Sequence, residues 1–263
     1  MEPDAIVREF THQSEAFNAA PAMRSADTLG RLLELIPAAA GERWLDAACG
    51  PGLVARGLAP RVGRVDGVDM TPAMVALARR EAEREGAANA VFSVGDATAL
   101  AFAPGSFDGA VTRFSLHHIP VPGRAVAELA RVVRPGGAVV LADHVTSPDG
   151  DVAAWHQEIE RLRDPSHWAC LTPARLRSLG KRAGLVLERE LEAPFAIDFE
   201  EWIARGSGGE AARGLIAAAV AERVPAPDVF RVAESGGGRR LGLVYWLSLW
   251  RRPLPASSGG GGV

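Results

Sequence analysis

Three aspartates and a glycine loop carry the first chemical signal in this chain. Asp46 sits in the short apolar run WLDA (44–47), the small-residue stretch AACGPG (47–52) overlaps its end, and GPGLVA (50–55) fits the pattern G-x-G-x-x-A. Glycine permits backbone angles and close approaches that other residues forbid, so a ligand is expected against the main chain at Gly50 and Gly52. Asp69 ends the next apolar stretch, RVDGVD (64–69), where a carboxylate can accept hydrogen bonds from both hydroxyls of a ribose. Asp46 would repel a pyrophosphate resting on the loop, but it suits a cationic amino group. Asp96, in VGDATAL (94–100), can reach the amino group of an adenine.

A ligand with an ammonium, a ribose and an adenine matches this spacing. S-adenosylmethionine (SAM) carries all three, plus a sulfonium. The bland readings are a tight turn for the glycines, carboxylates capping turns at strand ends for Asp69 and Asp96, and a loop-capping carboxylate for Asp46.

These residues need strands and helices to hold them. Strands are expected over 43–47, 64–69, 90–94, 107–112 and 138–143, with helices over 52–59, 72–84 and 123–133. Thr71 is expected to cap the second of these helices, with Pro72 at its first position. The alternation predicts an α/β fold with a parallel sheet covered on both faces. After Pro148 the pattern turns more helical, over 151–163, 172–183, 200–204 and 209–223, with strands over 185–191 and 241–250. The last two strands lack a crossover helix and are expected to pair antiparallel at the sheet edge. The expected architecture is a doubly wound, Rossmann-like seven-stranded sheet, mostly parallel with an antiparallel last strand. A helical lid over 1–40 precedes a domain over 41–255, with helical insertions near 150–170 and 195–238, and a disordered tail over 256–263.

The 263 residues, 48% of them apolar, suffice for such a core. A net charge of -3 gives no basic footprint for nucleic acid. No apolar run is long enough for a membrane span, and the polar opening MEPDAIVREFTHQ is unlike a secretory signal. The two cysteines, Cys49 and Cys170, give no disulfide framework. A cytoplasmic setting is expected, and a homodimer is left open. The His and Cys residues show no ligand spacing of the usual kind, so no metal is expected.

Five segments give a sharper identity: LDAACGPG (45–52), VDGVDMTPAMVALA (65–78), VGDATALAFAPGSFDGAV (94–111), SLHHI (115–119) and LARVVRPGGAVVLAD (129–143). In this order and spacing, over about residues 40–145, the chain resembles class I SAM-dependent methyltransferases, above all the branch similar to ubiquinone/menaquinone C-methyltransferases. The segment DPSHWACLTPARLRSLGKRAGL (164–185) resembles a continuation found in one subgroup, and FTHQSEAF (10–17) is loosely similar to its first helix.

The resemblance implies that Asp46, Ala48, Gly50 and Gly52 line the methionine end of SAM. Asp69 would bind the ribose and Met70 would lie against the adenine. Asp96 and the Ala97 amide would read the adenine edge. Thr112, Arg113 and Phe114 would face the methionine portion and the acceptor. Ala48 stands where the family often has Gly, which is tolerated if the backbone angle there is ordinary.

Histidine titrates near neutrality, so His117 and His118 are the candidate general bases, against a reading in which they only fix their loop. His144 and His12 are weaker candidates. Cys49 reads as a filler beneath the loop rather than a nucleophile. Trp155, Trp168 and Trp202 are core residues or an aromatic wall. Phe114 and Phe17 suit the neighbourhood of a sulfonium methyl. The expected reaction is C- or O-methylation of a small, partly apolar molecule such as a secondary metabolite or quinone-like acceptor. The alternative is a SAM-binding fold repurposed for a cyclisation. A nicotinamide oxidoreductase and a binding-only regulator are weaker rivals.

Overall fold

In a computed structural model, which describes residues 3–222 and 228–255, strands and helices alternate through the first part of the chain. Strands β1 (Arg43–Ala47), β2 (Arg64–Asp69), β3 (Ala90–Val94), β4 (Phe107–Arg113) and β5 (Val133–His144) are mutually parallel and follow the order β3-β2-β1-β4-β5. Helices α1 (Pro3–Ala19), α2 (Pro21–Arg24) and α3 (Arg31–Leu35) precede the sheet. Helices α4 (Leu53–Leu58), α5 (Pro72–Glu85) and α6 (Pro122–Val132) cross between strands. Trp44 and Val65 pack on one face of the sheet and Leu45 and Val139 on the other, all buried, so the middles of β1 and β5 carry apolar side chains on both faces.

The remaining elements are helices α7 (Gly150–Arg163) and α8 (Pro173–Arg182), strand β6 (Val186–Asp198), helices α9 (Phe199–Arg205) and α10 (Gly209–Ala221), and strands β7 (Phe230–Ser235) and β8 (Gly238–Arg251). Strand β8 lies antiparallel between β5 and β6, which bears out the doubly wound sheet with its antiparallel last strand. Two details differ from expectation. The strand expected over 185–191 runs on to Asp198, and β7 adds an eighth strand paired with the first half of β8. The region read as a helical insertion over 195–238 therefore ends in a hairpin. Strand β7 lacks a long apolar run, and only Phe230 of it is buried, so its pattern is faint. The expected tail over 256–263, and Arg223 of an expected helix, fall outside the described residues.

Helix starts follow their caps. Asp149 accepts from the Asp151 and Val152 amides at 2.9 and 3.0 Å, and Thr172 accepts from the Arg175 amide at 3.3 Å. Thr71 occupies the N-cap position of α5, but its side chain makes no capping bond. Asp69 does that work instead, its Oδ1 accepting from the Thr71 amide at 2.9 Å.

Candidate cofactor and acceptor site

The sheet order reverses between β1 and β4, and the C-terminal ends of β1, β2 and β4 open there into a cleft of about 870 Å³. Open α/β sheets bind ligands at this switch point. Asp46, Ala48 and Gly50 line its β1 side, Asp69 and Met70 its β2 side, and Asp96 and Ala97 the end of β3. Arg113 and Phe114 line the β4 side, and Ile6, Phe10 and Phe17 of α1 form a wall. Nine of the eleven residues expected to touch a cofactor thus converge on one cleft.

The other two stand behind it. Gly52 has a φ of +77°, and a Cβ there would meet Phe92 Cε1 at 2.7 Å, so this glycine lets the start of α4 pack against β3. Thr112 is buried, its Oγ1 donating to the Ala47 carbonyl at 2.8 Å and lying 2.5 Å from Ser115 Oγ, which ties the ends of β1 and β4 together. Ala48 departs from the expectation of an ordinary backbone angle, with a φ of +53°. Phe114, at +50°, is the other non-glycine residue in the left-handed region among those described. Such angles cost roughly 1–3 kcal/mol each and gather at functional sites. Here they flank the cleft.

The carboxylates differ in their surroundings. Asp46 is buried, and its Oδ2 accepts only from the Ala55 amide, at 3.0 Å. Burial pushes its carboxyl up to about 7, against the pull of that bond and of Arg113. Asp69 is also pushed up by burial, although it accepts from the Gly50 amide at 2.8 Å and the Thr71 amide at 2.9 Å. Asp96 is exposed and closes its own turn, accepting from the amide and hydroxyl of Thr98 at 2.7 and 2.9 Å. Arg113 is buried, donates to the Met23 carbonyl at 2.8 Å, and leaves its Nε without a partner. A buried carboxyl beside a buried, partly unpartnered guanidinium is the complement of a zwitterionic amino acid, which is the tail of SAM. The residues fit that cofactor.

A second cavity of about 490 Å³ adjoins the first and shares Phe10, Phe17, Phe114 and His118 with it. Phe195 and Trp202 extend its aromatic wall, and His117, Arg163 and Arg205 supply polar groups. Both histidines of the SLHHI segment are buried, and burial drives both below their usual range, so they are neutral at pH 7. His117 Nδ1 lies 2.6 Å from Asp143 Oδ1, and His118 Nδ1 lies 3.2 Å from the Ser166 carbonyl. With Nδ1 engaged on an acceptor, each ring keeps its lone pair on Nε2. The fixing role and the base role are therefore compatible.

His144 also lines this cavity, whereas His12 is exposed on α1. Cys49 is buried beneath the loop, and a Cβ on Gly67 would lie 3.1 Å from its Sγ, as a filler requires. Trp155 packs against the core, Trp202 is buried in the cavity wall, and Trp168 is exposed. The sequence reading missed Asp143, Glu160, Arg163, Asp164 and Arg205, all buried and charged. It also missed Gln13, which donates to Asp164 at 2.8 Å and fastens α1 to the loop after α7. Their signal was the polar-rich DPSHWA segment, whose Trp168 and Ala169 amides both donate to the His117 carbonyl at 2.9 Å.

Comparison with known proteins agrees with this geometry. Residues 45–141 match a family described as a methyltransferase domain. The methyltransferase YcgJ of Bacillus subtilis is 29% identical over 75% of this chain and 78% of its own length. Its crystal structure superposes with a TM-score of 0.79, covering 86% of this chain and 97% of that one. YafE of Escherichia coli is 31% identical over 57% of this chain and 72% of its own. Demethylmenaquinone methyltransferase of Beutenbergia cavernae is 37% identical over 44% of this chain and 46% of its own. With the glycine loop, the strand-end carboxylates and the switch-point cleft in place, these likenesses establish that the chain belongs to the class I SAM-dependent methyltransferases.

Proposed function

We propose that the enzyme methylates, at carbon or oxygen, a small aromatic or enolic molecule held in the 490 Å³ cavity. The observation that carries this reading is the shared wall. Phe114 and His118 belong to both cavities, so an acceptor in one lies beside a ligand in the other. SAM, when bound, supplies a methyl already activated on its sulfonium. The chain's task is to orient, to exclude water and to move a proton.

His118 Nε2 accepts the proton of the acceptor hydroxyl, leaving a phenolate or enolate whose oxygen or carbon is the nucleophile. Arg205, its guanidinium 5.6 Å from the Phe17 ring centroid, is lowered by burial to about 10 and so stays charged at neutral pH, where it favours the anionic acceptor. Phe10, Phe17 and Trp202 cover the apolar body of the acceptor. Asp46 holds the ammonium of the cofactor, Arg113 its carboxylate, and Asp69 its ribose.

The test is product mass, with a panel of phenols and enolisable ketones and SAM carrying a deuterated methyl. The expected product gains the labelled methyl. Turnover to a product of unchanged mass would mean a cyclisation or isomerisation instead, and would refute the reading.

Asp46 makes cofactor binding depend on pH. With its carboxyl near 7 in the ligand-free fold and ionised beside an ammonium, binding releases a proton. Affinity for SAM should therefore rise roughly tenfold from pH 6 to pH 8. The same shift works against the ligand-free fold. An unfolded aspartate ionises near 4, so Asp46 contributes stability below that pH and loses it as pH rises through about 7. Calorimetry at the two pH values checks the affinity, and Asp46→Asn should flatten the dependence while weakening binding.

A further inference from the structure

At one wall of the acceptor cavity, where His144 and Glu160 line it, lies a cluster to which the proposed methyl transfer assigns no role. His144 ends β5, His156 and Glu160 lie one turn apart on α7, and Cys170 sits in the loop before α8. All four are buried. One ring nitrogen of each histidine and the Cys170 sulfur lie within 4.8 Å of one another. His144 Nε2 is 2.8 Å from Cys170 Sγ and 3.6 Å from Glu160 Oε1, and His156 Nε2 is 3.7 Å from the same oxygen. Ligand atoms around a tetrahedral zinc ion stand about 3.3–3.6 Å apart, given bonds of ~2.0–2.3 Å, so the His144–Cys170 pair, now at hydrogen-bond distance, must open to admit the ion.

The orientation of each group points the same way. His156 is fully buried, and its Nε2 has no hydrogen-bond partner. Its other nitrogen, Nδ1, lies 3.1 Å from Thr146 Oγ1, and His144 Nδ1 lies 3.5 Å from Asp143 Oδ1. In both rings the outer nitrogen meets a polar partner while Nε2 faces the cluster, the arrangement that sets a metal-binding tautomer. Arg163 takes only Oε2 of Glu160, at 3.1 Å, which leaves Oε1 toward the histidines. Gln157 grips the backbone of Cys170 at both its amide and its carbonyl, each at 2.9 Å, and fixes the thiol in place.

We infer that His144 Nε2, His156 Nε2 and Cys170 Sγ form a site for one divalent ion of the zinc class, with Glu160 Oε1 beside the two histidines. Two imidazoles and a thiolate are a borderline-soft donor set that suits zinc over magnesium or calcium. The three ligands come from β5, α7 and the loop before α8, so the ion pins these elements together at the wall of the acceptor cavity. Binding displaces the Cys170 proton to solvent and leaves the metal's oxidation state unchanged. The sequence reading expected no metal. The ligands come from three elements, and no pair has the C-x-x-C or H-x-x-x-H spacing that marks a site in sequence.

The test uses the full chain. Elemental analysis of protein purified without chelators should find about one zinc per chain. Chelator-stripped protein titrated with cobalt(II) should develop a thiolate-to-cobalt absorption band and saturate at one equivalent. Cys170→Ser should abolish the band and His156→Gln should abolish or strongly weaken it. Cys49→Ser should keep it. SAM binding by calorimetry on the same samples reports separately whether each variant is folded. Wild-type protein that binds SAM but gives no cobalt band overturns the site, as does a band that survives in Cys170→Ser or disappears in Cys49→Ser. Where Cys170→Ser fails to fold, a band undiminished in His156→Gln overturns it equally.

Discussion

Replacing Asp69 by alanine is expected to weaken SAM binding by roughly 30- to 150-fold, a loss of about 2–3 kcal/mol. The carboxylate has two tasks. Its two oxygens already accept from the Gly50 and Thr71 amides, at 2.8 and 2.9 Å. A carboxylate has about four acceptor positions, so two remain for the hydroxyls of a ribose. Alanine removes the ribose acceptors and also orphans the Gly50 amide, at a residue whose φ is +51°. The loop then loses the bond that holds it in its left-handed turn. Asparagine should restore little, because its single carbonyl oxygen cannot serve both amides and a ribose. Calorimetric titration with SAM or S-adenosylhomocysteine decides it, and unchanged affinity in Asp69→Ala would remove Asp69 from the cofactor site.

His118→Gln should lower kcat by about 10²- to 10³-fold and leave SAM affinity within a factor of about three. Glutamine can still reach the Ser166 carbonyl that now lies 3.2 Å from His118 Nδ1, so the loop keeps a partner. What it lacks is a basic nitrogen directed at the acceptor. The ring is held edge-to-face on Phe10, with centroids 4.7 Å apart, in the wall common to both cavities. His117→Gln should cost less, because His117 borders only the second cavity. Single-turnover rates with saturating SAM separate the chemical step from binding. Equal rates in wild type and His118→Gln would show that no base acts there.

The cofactor side was largely legible in the sequence because its residues lie close to strand ends within one continuous stretch. Asp46, Gly50, Asp69 and Asp96 each follow a short apolar run, and the parallel sheet brings such ends together on one edge. Thr112 and Gly52 stand behind the cleft lining for a related reason. Position along the chain puts them beside the loop, but only packing shows that Thr112 turns toward the Ala47 carbonyl and Gly52 toward Phe92. The backbone angle at Ala48 was hidden as well, since alanine carries no mark of positive φ.

The acceptor side was much less legible. Arg163, Asp164 and Arg205 look like ordinary surface charges on amphipathic helices, yet all three are buried. Their burial depends on α1 folding over them, with Gln13 reaching Asp164 and Glu9 accepting from the Ser207 amide at 2.9 Å. No local periodicity reports contacts between residues so far apart in the chain. The cluster of His144, His156, Glu160 and Cys170 is assembled in the same non-local way.

Strand β8 is the last strand of the described chain to leave the ribosome, yet it occupies an interior place between β5 and β6. During synthesis β5, β6 and β7 each lack the β8 partner until residues 238–251 arrive. Closure of the sheet thus waits on its last strand, and a nascent chain halted before Gly238 leaves β5, β6 and β7 each without its β8 partner, open edges that are the template for aggregation. Removing β8 would leave a chain that keeps every residue proposed to hold the cofactor and lacks the seam joining β5 to β6.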